Sequence, residues 1–435
     1  MLEIIPVGGF SEIGRNCCVV NYNGEMVMLD LGLEMENYVK HMEDEDVQFA
    51  KESDLVQVDA VPDVRILKNP KAVKAICVSH AHLDHVGGIP FVAHHFDCPI
   101  HASAFTIEFL KGTLRGNKQS LKNKLIAHPV NSKFQVTKNI EVEFINITHS
   151  TPQTVCIAVH TPEGTVLYVN DFKLDGNPVL GPVTNSERLR ELKVKCLIMD
   201  SLYAPAHMKC PSESIAREML KDVLLGVDNK GRNVIVATFS SHIARVKSII
   251  QIAKQLGREP VFLGRSLINY TEAAKRAEVI DLTGEVKIMK SGKQMVTWLK
   301  SVKKPEQYLF ISTGHQGEPK AVLSRIVNED FFALRPDDHV VFSCNVIPSP
   351  TTMENRAVLE RKLKDRHVRM FKDIHVSGHA HREDHRDLVN MVKPEHVIPT
   401  HGNLNMLGEQ RDLLLEMGYK DDKIHILHNG QSVLL

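Results

Sequence analysis

Histidine and carboxylate residues cluster in one short segment of this sequence, with a spacing that suits metal binding. The segment Ser79-His80-Ala81-His82-Leu83-Asp84-His85 follows the apolar run Lys74 to Val78. A strand brings the chain to this point, and the loop then presents three imidazoles and one carboxylate within six residues. His80 and His82 can face one ion while Asp84 and His85 face a second, and this donor set suits borderline ions such as Zn²⁺. A solvated histidine-rich loop is the alternative interpretation.

Three further candidate ligands stand at the ends of other predicted strands. They are His149 after Glu141 to Ile147, Asp171 after Thr165 to Val169, and His401 after Val397 to Pro399. Taken singly, Asp171 is also compatible with a turn residue, and His149 with a core histidine whose ring nitrogens are hydrogen-bonded. Taken together with the histidine-rich loop, the three predict a buried metal centre assembled from several strand ends.

The elements that must position these residues fall into two patterns. Up to about residue 204 the chain has short β-rich runs, namely Cys17 to Val20, Met26 to Leu29, Ala75 to Val78, Glu141 to Ile147, Val155 to His160, Thr165 to Val169 and Cys196 to Met199. From 205 to 365 helices such as Ser212 to Leu225 and His242 to Leu256 alternate with buried strands, which predicts a parallel α/β unit. The first pattern then returns, with short strands expected to end at His375, His379 and His401 and a closing helix from Asn403 to Met417.

Length and composition limit the possible functions. A chain of 435 residues is expected to form two domains. Lys and Arg together equal Asp and Glu at 53 each, so attraction to a polyanion must come from a local surface. The stretch between Glu108 and Glu141 offers one, with cations and no acid: Lys111, Arg115, Lys118, Lys122, Lys124, Lys133 and Lys138. A solvated helix and loop face explains any one of these residues equally well.

Cysteine usage and the absence of long apolar runs predict a cytoplasmic protein. The eight cysteines show no regular spacing and read as reduced core residues. The start of the chain lacks a basic region followed by a long apolar run, and no segment approaches eighteen apolar residues. We therefore expect neither secretion nor membrane insertion.

The sequence resembles the metallo-β-lactamase superfamily. The motif of that family, HxHxDH, is matched by His80, His82, Asp84 and His85, and its later ligands are matched by His149, Asp171 and His401. The resemblance implies that Asp30, in Met28-Leu29-Asp30-Leu31-Gly32, supports the site from behind the ligands. It also implies an α/β fold, a metallo-β-lactamase αββα sandwich formed by residues 1–204 and 366–435, with an inserted parallel α/β domain at 205–365.

The inserted domain resembles the β-CASP insertion of nucleic-acid-processing members. The markers of that group are matched by Asp200 after a strand, by Ser377-Gly378-His379-Ala380 and by His401. Within the group the chain is most similar to ribonuclease J, through the segments Pro6 to Asn16, Thr238-Phe239-Ser240-Ser241, Gly264-Arg265-Ser266, Thr313 to Pro319 and Pro399 to Gly402. The chain departs from the bacterial enzymes in ending soon after His401, and no RNA-binding modules precede its core, so the compact archaeal form is expected.

The resemblance implies a mechanism with two Zn²⁺ ions. His80, His82 and His149 would hold one ion and Asp84, His85 and His401 the other, with Asp171 shared. A water between ions about 3.5 to 4 Å apart would be deprotonated near neutral pH and attack phosphorus in line. Asp84 and Asp200 are catalytic residues in this mechanism. Asp84 is a metal ligand, and Asp200 orients a ligand imidazole. His379 would stabilise charge on the phosphate or protonate the leaving oxygen, whereas the role of His381 stays open.

The expected activity is 5′ to 3′ exonuclease action on single-stranded RNA with a 5′ monophosphate, together with some endonuclease capacity, in RNA processing and decay. The resemblance implies a terminal phosphate pocket formed by Ser240, Ser241, His242, Gly378 and Ala380. It also makes a homodimer the expected assembly.

Two other functions fit parts of the sequence. A hydrolase of small esters or thioesters needs only the metal loop, but such an enzyme has no need of the long insertion. A non-catalytic RNA-binding subunit is the third reading, and the intact set of candidate ligands disfavours it.

Overall fold

The structure is a computed structural model that describes residues 1–44, 50–289, 291–329, 331–347 and 349–435. The described residues form eighteen strands: β1 (Leu2–Gly8), β2 (Cys17–Tyr22), β3 (Glu25–Leu29), β4 (Val73–Cys77), β5 (Ile100–Ser103), β6 (Leu125–His128), β7 (Ser132–Gln135), β8 (Glu141–Asn146), β9 (Val155–Thr161), β10 (Gly164–Val169), β11 (Val194–Asp200), β12 (Val234–Thr238), β13 (Glu259–Leu263), β14 (Tyr308–Ser312), β15 (His339–Ser343), β16 (Arg369–Phe371), β17 (His396–Thr400) and β18 (Val433–Leu434).

The same residues form fourteen α-helices: α1 (Met35–Asp44), α2 (Glu52–Gln57), α3 (Leu83–Val86), α4 (Ile89–Val92), α5 (Ala104–Asn117), α6 (Ser186–Glu191), α7 (Glu213–Leu225), α8 (Ile243–Gln255), α9 (Arg265–Arg276), α10 (Gly292–Ser301), α11 (Val322–Glu329), α12 (Pro350–Asp365), α13 (Arg382–Val392) and α14 (Leu404–Glu416). Short 3-10 helices span Val64–Ile66, Pro70–Ala72, Ala93–His95, Pro305–Gln307 and Asp421–Lys423. Polar side chains cap several helices, as when Ser212 accepts a hydrogen bond from the backbone N–H of Ser214 at the start of α7.

The described chain divides into two compact units. The first comprises Met1–Gly176, Pro182–Cys210 and Gly378–Leu435, and the second comprises Asn177–Gly181 and Pro211–Ser377. The domain boundaries expected from sequence, at 205 and 365, stay a prediction.

The first unit contains two sheets that face each other. One has the order β18-β1-β2-β3-β4-β5-β6 and the other β17-β11-β10-β9-β8-β7. Apolar side chains from both sheets fill the space between them, among them Val20, Phe144 and Tyr168. A second apolar layer joins the outer face of the six-stranded sheet to α6, α13 and α14 through Leu189, Leu388 and Leu414. These layers are those of the predicted sandwich.

Strand register brings the candidate site residues together. Leu29 of β3 pairs with Cys77 of β4, so the residues that follow these parallel strands leave the sheet side by side. In the other sheet β10, β11 and β17 are parallel neighbours, and Asp200 pairs with Thr400. Because side chains beyond the carboxyl ends of parallel strands meet at one edge, this register gathers residues that are far apart in sequence.

The second unit is built on a five-stranded parallel sheet with the order β13-β14-β12-β15-β16. Its strands β14 and β15 are buried almost throughout, as expected of the strands that alternate with helices in this part of the chain. Apolar residues of the sheet pack with side chains from α10, α11 and α12, including Leu299, Leu323 and Leu359. The parallel α/β pattern read from the sequence is the observed one.

One local prediction, that short strands end at His375 and His379, was wrong. The structure places no strand before His375 or His379 in the described residues 372–380. Asp373 has a φ of 60°, which interrupts an extended run at this point.

The eight cysteines are buried free thiols. Among the described residues, no helix combines the length and apolar character that crossing a bilayer requires.

A buried ion pair stabilises the second unit. The fully buried Arg245 guanidinium donates to both carboxylate oxygens of Glu213, with Nε to Oε1 at 2.6 Å and Nη2 to Oε2 at 2.8 Å. Nη1 of Arg245 also donates to Oγ of Ser343, at 2.8 Å. The two-bond contact joins α7 to α8, and the bond to Ser343 joins α8 to the end of β15.

We expect Arg245→Met to lower the free energy of unfolding of the second unit by about 3–5 kcal/mol, because the change leaves the buried Glu213 carboxylate without its main partner. Urea unfolding followed by the fluorescence of Trp298 measures this, since the chain has 1 tryptophan and it lies in the second unit. Arg325→Met is the matched control, because its pair with Glu329 has side chains 31% and 49% exposed. Equal midpoints for the two variants would contradict the prediction.

Candidate metal centre

The histidine-rich loop joins β4 to α3. Cys77 ends the strand and His82 occupies the position before the first residue of α3. His80 and His82 therefore precede the helix, whereas Asp84 and His85 lie in its only turn. This change from loop to helix turns the two halves of the motif toward different points.

The first donor set consists of His80, His82, His149 and one oxygen of Asp171. Nδ1 of His82 lies 3.0 Å from Nε2 of His80 and 3.1 Å from Nε2 of His149. Oδ2 of Asp171 is 3.4, 3.8 and 3.5 Å from these nitrogens of His80, His82 and His149. Three ring nitrogens and one carboxylate oxygen thus converge on one point, as a tetrahedral metal site requires.

The second donor set consists of Asp84, His85 and His401, beside the other oxygen of Asp171. Nε2 of His85 lies 3.4 Å from Oδ2 of Asp84 and 3.1 Å from Oδ1 of Asp171. Nε2 of His401 is 3.9 Å from each of the same two oxygens. Asp171 therefore stands between the two sets and presents one oxygen to each.

The donor atoms fit divalent cations. Oδ1 of Asp171 is buried and accepts no hydrogen bond from any described residue. A buried carboxylate oxygen in that state is costly unless a cation compensates it. Imidazole nitrogens and carboxylate oxygens are the donors that zinc and similar ions take, so the centre can hold two ions with Asp171 shared.

Burial and neighbouring charges set the protonation of the ligands. Burial, with His85 nearby, lowers the pKa of His80 to about 4. Burial likewise lowers the pKa of His149 well below its usual value. Both rings are therefore neutral at pH 7, which is the form that binds metals.

His85 shows the opposite effect. Although burial opposes its charge, the carboxylates of Asp171, Asp84 and Asp30 raise the pKa of His85 well above its usual value. For Asp171, burial is outweighed by His85 and His379, which hold the pKa of its carboxyl well below the usual range. This concentration of buried negative charge is what a divalent cation would neutralise.

Asp30 supports the ligands from behind, at a distance from the donor points. Its Oδ2 accepts from Nδ1 of His85 at 2.7 Å and from Oγ of Ser79 at 2.8 Å, and its Oδ1 accepts from the backbone N–H of Ser79 at 2.7 Å. This contact at Nδ1 orients the ring so that Nε2 of His85 faces the second donor set.

Asn16 is a supporting residue that our sequence analysis did not single out. Its Oδ1 accepts from Nδ1 of His401 at 3.0 Å, and its Nδ2 donates to Oδ2 of Asp84 at 3.3 Å. The side chain is buried and fixes the orientation of two members of the second set. The only sequence signal was its place in the glycine-rich opening, where Asn has many ordinary roles.

Gly378 supports the first set through its backbone. Its carbonyl oxygen accepts from Nδ1 of His149 at 2.7 Å. A Cβ on this glycine would stand 3.0 Å from Ser150 and 3.2 Å from His149, so only glycine fits without displacing the ligand. The backbone N–H of Ala380 donates to the carbonyl oxygen of Phe172 at 2.5 Å. This N–H group is therefore already hydrogen-bonded within the first unit.

His379 and Asp200 form a pair beside the metal centre. Nδ1 of His379 lies 3.0 Å from Oδ2 of the fully buried Asp200, and its Nε2 lies 3.7 Å from Oδ2 of Asp171. Burial opposes a charge on this ring, but Asp171 and Asp200 raise the pKa of His379 to about 9. The ring of Tyr203 lies between His379 and His381, with centroids 6.1 and 5.1 Å away.

The remaining phosphate-site candidates lie in the second unit, between β12 and α8. Ser240 is partly exposed and Ser241 is buried. His242 caps α8, since its Nδ1 accepts from the backbone N–H of Arg245 at 3.4 Å, and its Nε2 lies 3.2 Å from Glu213. Both ring nitrogens of His242 thus contact groups of the second unit.

We expect Asn16→Ala to weaken metal binding at the second donor set by about 10–100-fold, because His401 and Asp84 lose the group that orients them. The first set should keep its affinity. Zinc titration in competition with a chromophoric chelator distinguishes the two sets. Asn139→Ala, at an exposed amide bonded to Glu25, is the control. Equal loss at both sets, or loss at neither, would count against this role for Asn16.

Three protein families match successive parts of the chain. A family described as "Metallo-beta-lactamase superfamily" matches residues 14–236, one described as "Ribonuclease J, beta-CASP domain" matches residues 230–360, and one described as "Zn-dependent metallo-hydrolase RNA specificity domain" matches residues 365–427. The predicted fold class, a metallo-β-lactamase sandwich with an inserted β-CASP domain, is confirmed.

Individual relatives cover the whole chain. Ribonuclease J of Pyrococcus abyssi is 41% identical over 100% of this chain and 97% of its own length. Ribonuclease J of Methanocaldococcus jannaschii is 40% identical, with 99% and 98% covered. A crystal structure of a protein of unknown function from Enterococcus faecalis superposes with a TM-score of 0.69 over 100% of both chains, and its 18% identity bears on the fold alone. The chain belongs to the ribonuclease J family.

Proposed function

We propose that this chain is a zinc-dependent 5′ to 3′ exoribonuclease that acts on single-stranded RNA, prefers a 5′ monophosphate and retains some endonuclease capacity. The family assignment makes it a metal-dependent ribonuclease. The observation that carries the finer proposal is the position of Asp171 between two histidine-containing donor sets, with His379 beside it.

The two donor sets would each hold one Zn²⁺. His80, His82 and His149 serve one ion, Asp84, His85 and His401 serve the other, and Asp171 serves both. When bound, such ions would supply Lewis acidity toward a phosphate and would lower the pKa of water at the centre. Asp30, Asn16 and the carbonyl of Gly378 keep the ligand rings turned toward the donor points.

His379 is the residue that we assign to the phosphate and the leaving group. Asp200 accepts the Nδ1 proton of His379, so Nε2 faces the side where Asp171 lies. A proton held at Nε2 can be donated to a phosphate oxygen or to the departing oxygen. Asp200 holds the ring in the tautomer and orientation that this role needs.

Ser240 and Ser241 are the groups that we assign to the terminal phosphate. They follow β12, and the loops after the parallel strands β13 and β14 leave the same sheet edge. Hydroxyl and backbone N–H groups at such an edge suit an anion. We leave the His242 ring out of the pocket, because its contacts with Glu213 and Arg245 already use both nitrogens.

The proposal also covers the domain division 1–204, 205–365 and 366–435, a homodimeric assembly and a cytoplasmic location. The family supports these features, and light scattering of the purified protein measures the assembly.

The first test uses one single-stranded RNA with a 5′ monophosphate, a 5′ triphosphate or a 5′ hydroxyl, labelled at the 3′ end. We expect the zinc-loaded protein to shorten the monophosphate substrate progressively from its 5′ end, and the other two more slowly. The matched control is the double variant Asp84→Ala and His85→Ala, which removes two donors of the second set and should lose cleavage.

Other outcomes of this assay point elsewhere. Internal products regardless of the 5′ group would make the protein chiefly an endonuclease. Absence of cleavage by zinc-loaded protein, with RNA binding retained, would favour the non-catalytic subunit. Hydrolysis of small esters without RNA cleavage would favour the small-substrate hydrolase.

We expect the double variant Ser240→Ala and Ser241→Ala to slow cleavage of 5′-monophosphate RNA about tenfold or more. A hydrogen bond to a charged group contributes about 1.5–3 kcal/mol, and 1.4 kcal/mol corresponds to about a factor of ten. Internal cleavage should change little. The comparison is the ratio of the two rates, with Ser53→Ala at an exposed serine as control. A uniform decrease of both rates would remove these serines from the pocket.

A further inference from the structure

Two histidines and one glutamate meet on the first unit, apart from the catalytic donor sets. His94 and His95 belong to the 3-10 helix Ala93–His95, and Glu52 is the first residue of α2. Glu52 is 42 residues from His94 along the chain, so the fold and not local sequence brings them together. None of the three is a member of the donor sets around Asp171.

The donor atoms of this cluster converge on one point. Nε2 of His95 lies 2.7 Å from Oε1 of Glu52, and Nε2 of His94 lies 3.4 Å from Oε2 of the same carboxylate. The two imidazole centroids are 4.2 Å apart, with an angle of 34° between the rings. One donor atom from each residue lies within 4.8 Å of the others.

Ordinary surface pairing explains this arrangement poorly. Consecutive residues of a 3-10 helix point about 120° apart, given three residues per turn, yet both rings turn toward one carboxylate. The side chains of Glu52, His94 and His95 are 26%, 51% and 37% exposed. An exposed ion pair contributes little stability, and it gives no reason for the second ring to join the first.

We propose that Glu52, His94 and His95 form a third metal site, which binds a borderline divalent cation of the zinc class. Two imidazole nitrogens and one carboxylate oxygen are three of the four ligands of a tetrahedral zinc ion, and the exposure of the site leaves the fourth position to water. The imidazoles select zinc, nickel or copper over magnesium and calcium. Binding requires Nε2 of both rings to be unprotonated, with each ring proton on Nδ1.

The role of this ion is to anchor α2. That helix has six residues, buries only Leu55 and has no side-chain bond at its N-cap, so its own contacts are few. The segment that follows carries Asp59, whose carboxylate accepts from Nη1 of Arg15 at 2.6 Å. An ion at Glu52 thus fixes α2 and the segment that follows it.

The test counts the ions bound to the full chain. Metal-free protein is dialysed against buffered free Zn²⁺, and bound zinc is measured by elemental analysis. We expect three ions per chain for the unaltered protein and two for the double variant His94→Ala and His95→Ala. Zinc should raise the unfolding temperature of the unaltered protein further than that of the variant, and ribonuclease activity should not change.

A second histidine pair is the matched control. The rings of His396 and His425 are also stacked, with centroids 5.1 Å apart, but Lys423 lies 3.4 Å from His396 where a metal site would need a carboxylate. The double variant His396→Ala and His425→Ala should therefore still bind three ions. Loss of an ion in this control as well would show that the count does not report on Glu52, His94 and His95.

A conservative variant guards against a folding defect. Glu52→Gln keeps the size of the side chain and removes its charge, so the third ion should bind about tenfold or more weakly, which corresponds to about 1.4 kcal/mol. An equal number of bound ions in the unaltered protein and in the His94→Ala and His95→Ala variant, or unchanged affinity for this ion in Glu52→Gln, would overturn the proposal. Either result leaves the catalytic pair and the ribonuclease assay unaffected, so failure here is distinguishable from failure of the proposed function.

Discussion

The centre of this protein depends on one buried carboxylate. Asp171 faces the first donor set with one oxygen and the second with the other, and burial deprives both oxygens of water. Such a group is stable only beside positive charge, so the fold must bring either protonated imidazoles or cations to it. The carboxylates at the centre accordingly raise the pKa of both His85 and His379. The rings of His85, His401 and His379 are held in place by hydrogen bonds to Asp30, Asn16 and Asp200, respectively.

The two units contribute in different ways. The sandwich supplies rigid strand ends, and rigidity matters because a ligand displaced by a fraction of an ångström loses its ion. The second unit has its own core and its own buried ion pair between Arg245 and Glu213. Its parallel sheet ends in loops rich in hydroxyl groups, which suits contact with a charged polymer.

Much of this arrangement was predictable because strand ends and metal ligands leave strong local signals. The HxHxDH loop puts four donors within six residues, and buried strands before His149, Asp171 and His401 are readable from apolar runs. Contacts made by single polar residues over long sequence distances were not predictable. Asn16 reaches His401 across 385 positions, and nothing in its neighbourhood distinguishes it from a turn residue. The contact of His242 with Glu213 was not predictable for the same reason, since Glu213 lies on another helix.

The pairing of β11 with β17 has a consequence for the order of events during synthesis. Asp200 and Thr400 are partners in neighbouring strands, yet the main segment of the second unit, Pro211–Ser377, is translated between them. The ligands His80, His82, His149 and Asp171 leave the ribosome early, whereas His401 emerges only after that unit. A nascent chain therefore carries all four residues of the first donor set well before it carries His401, the last residue of the second.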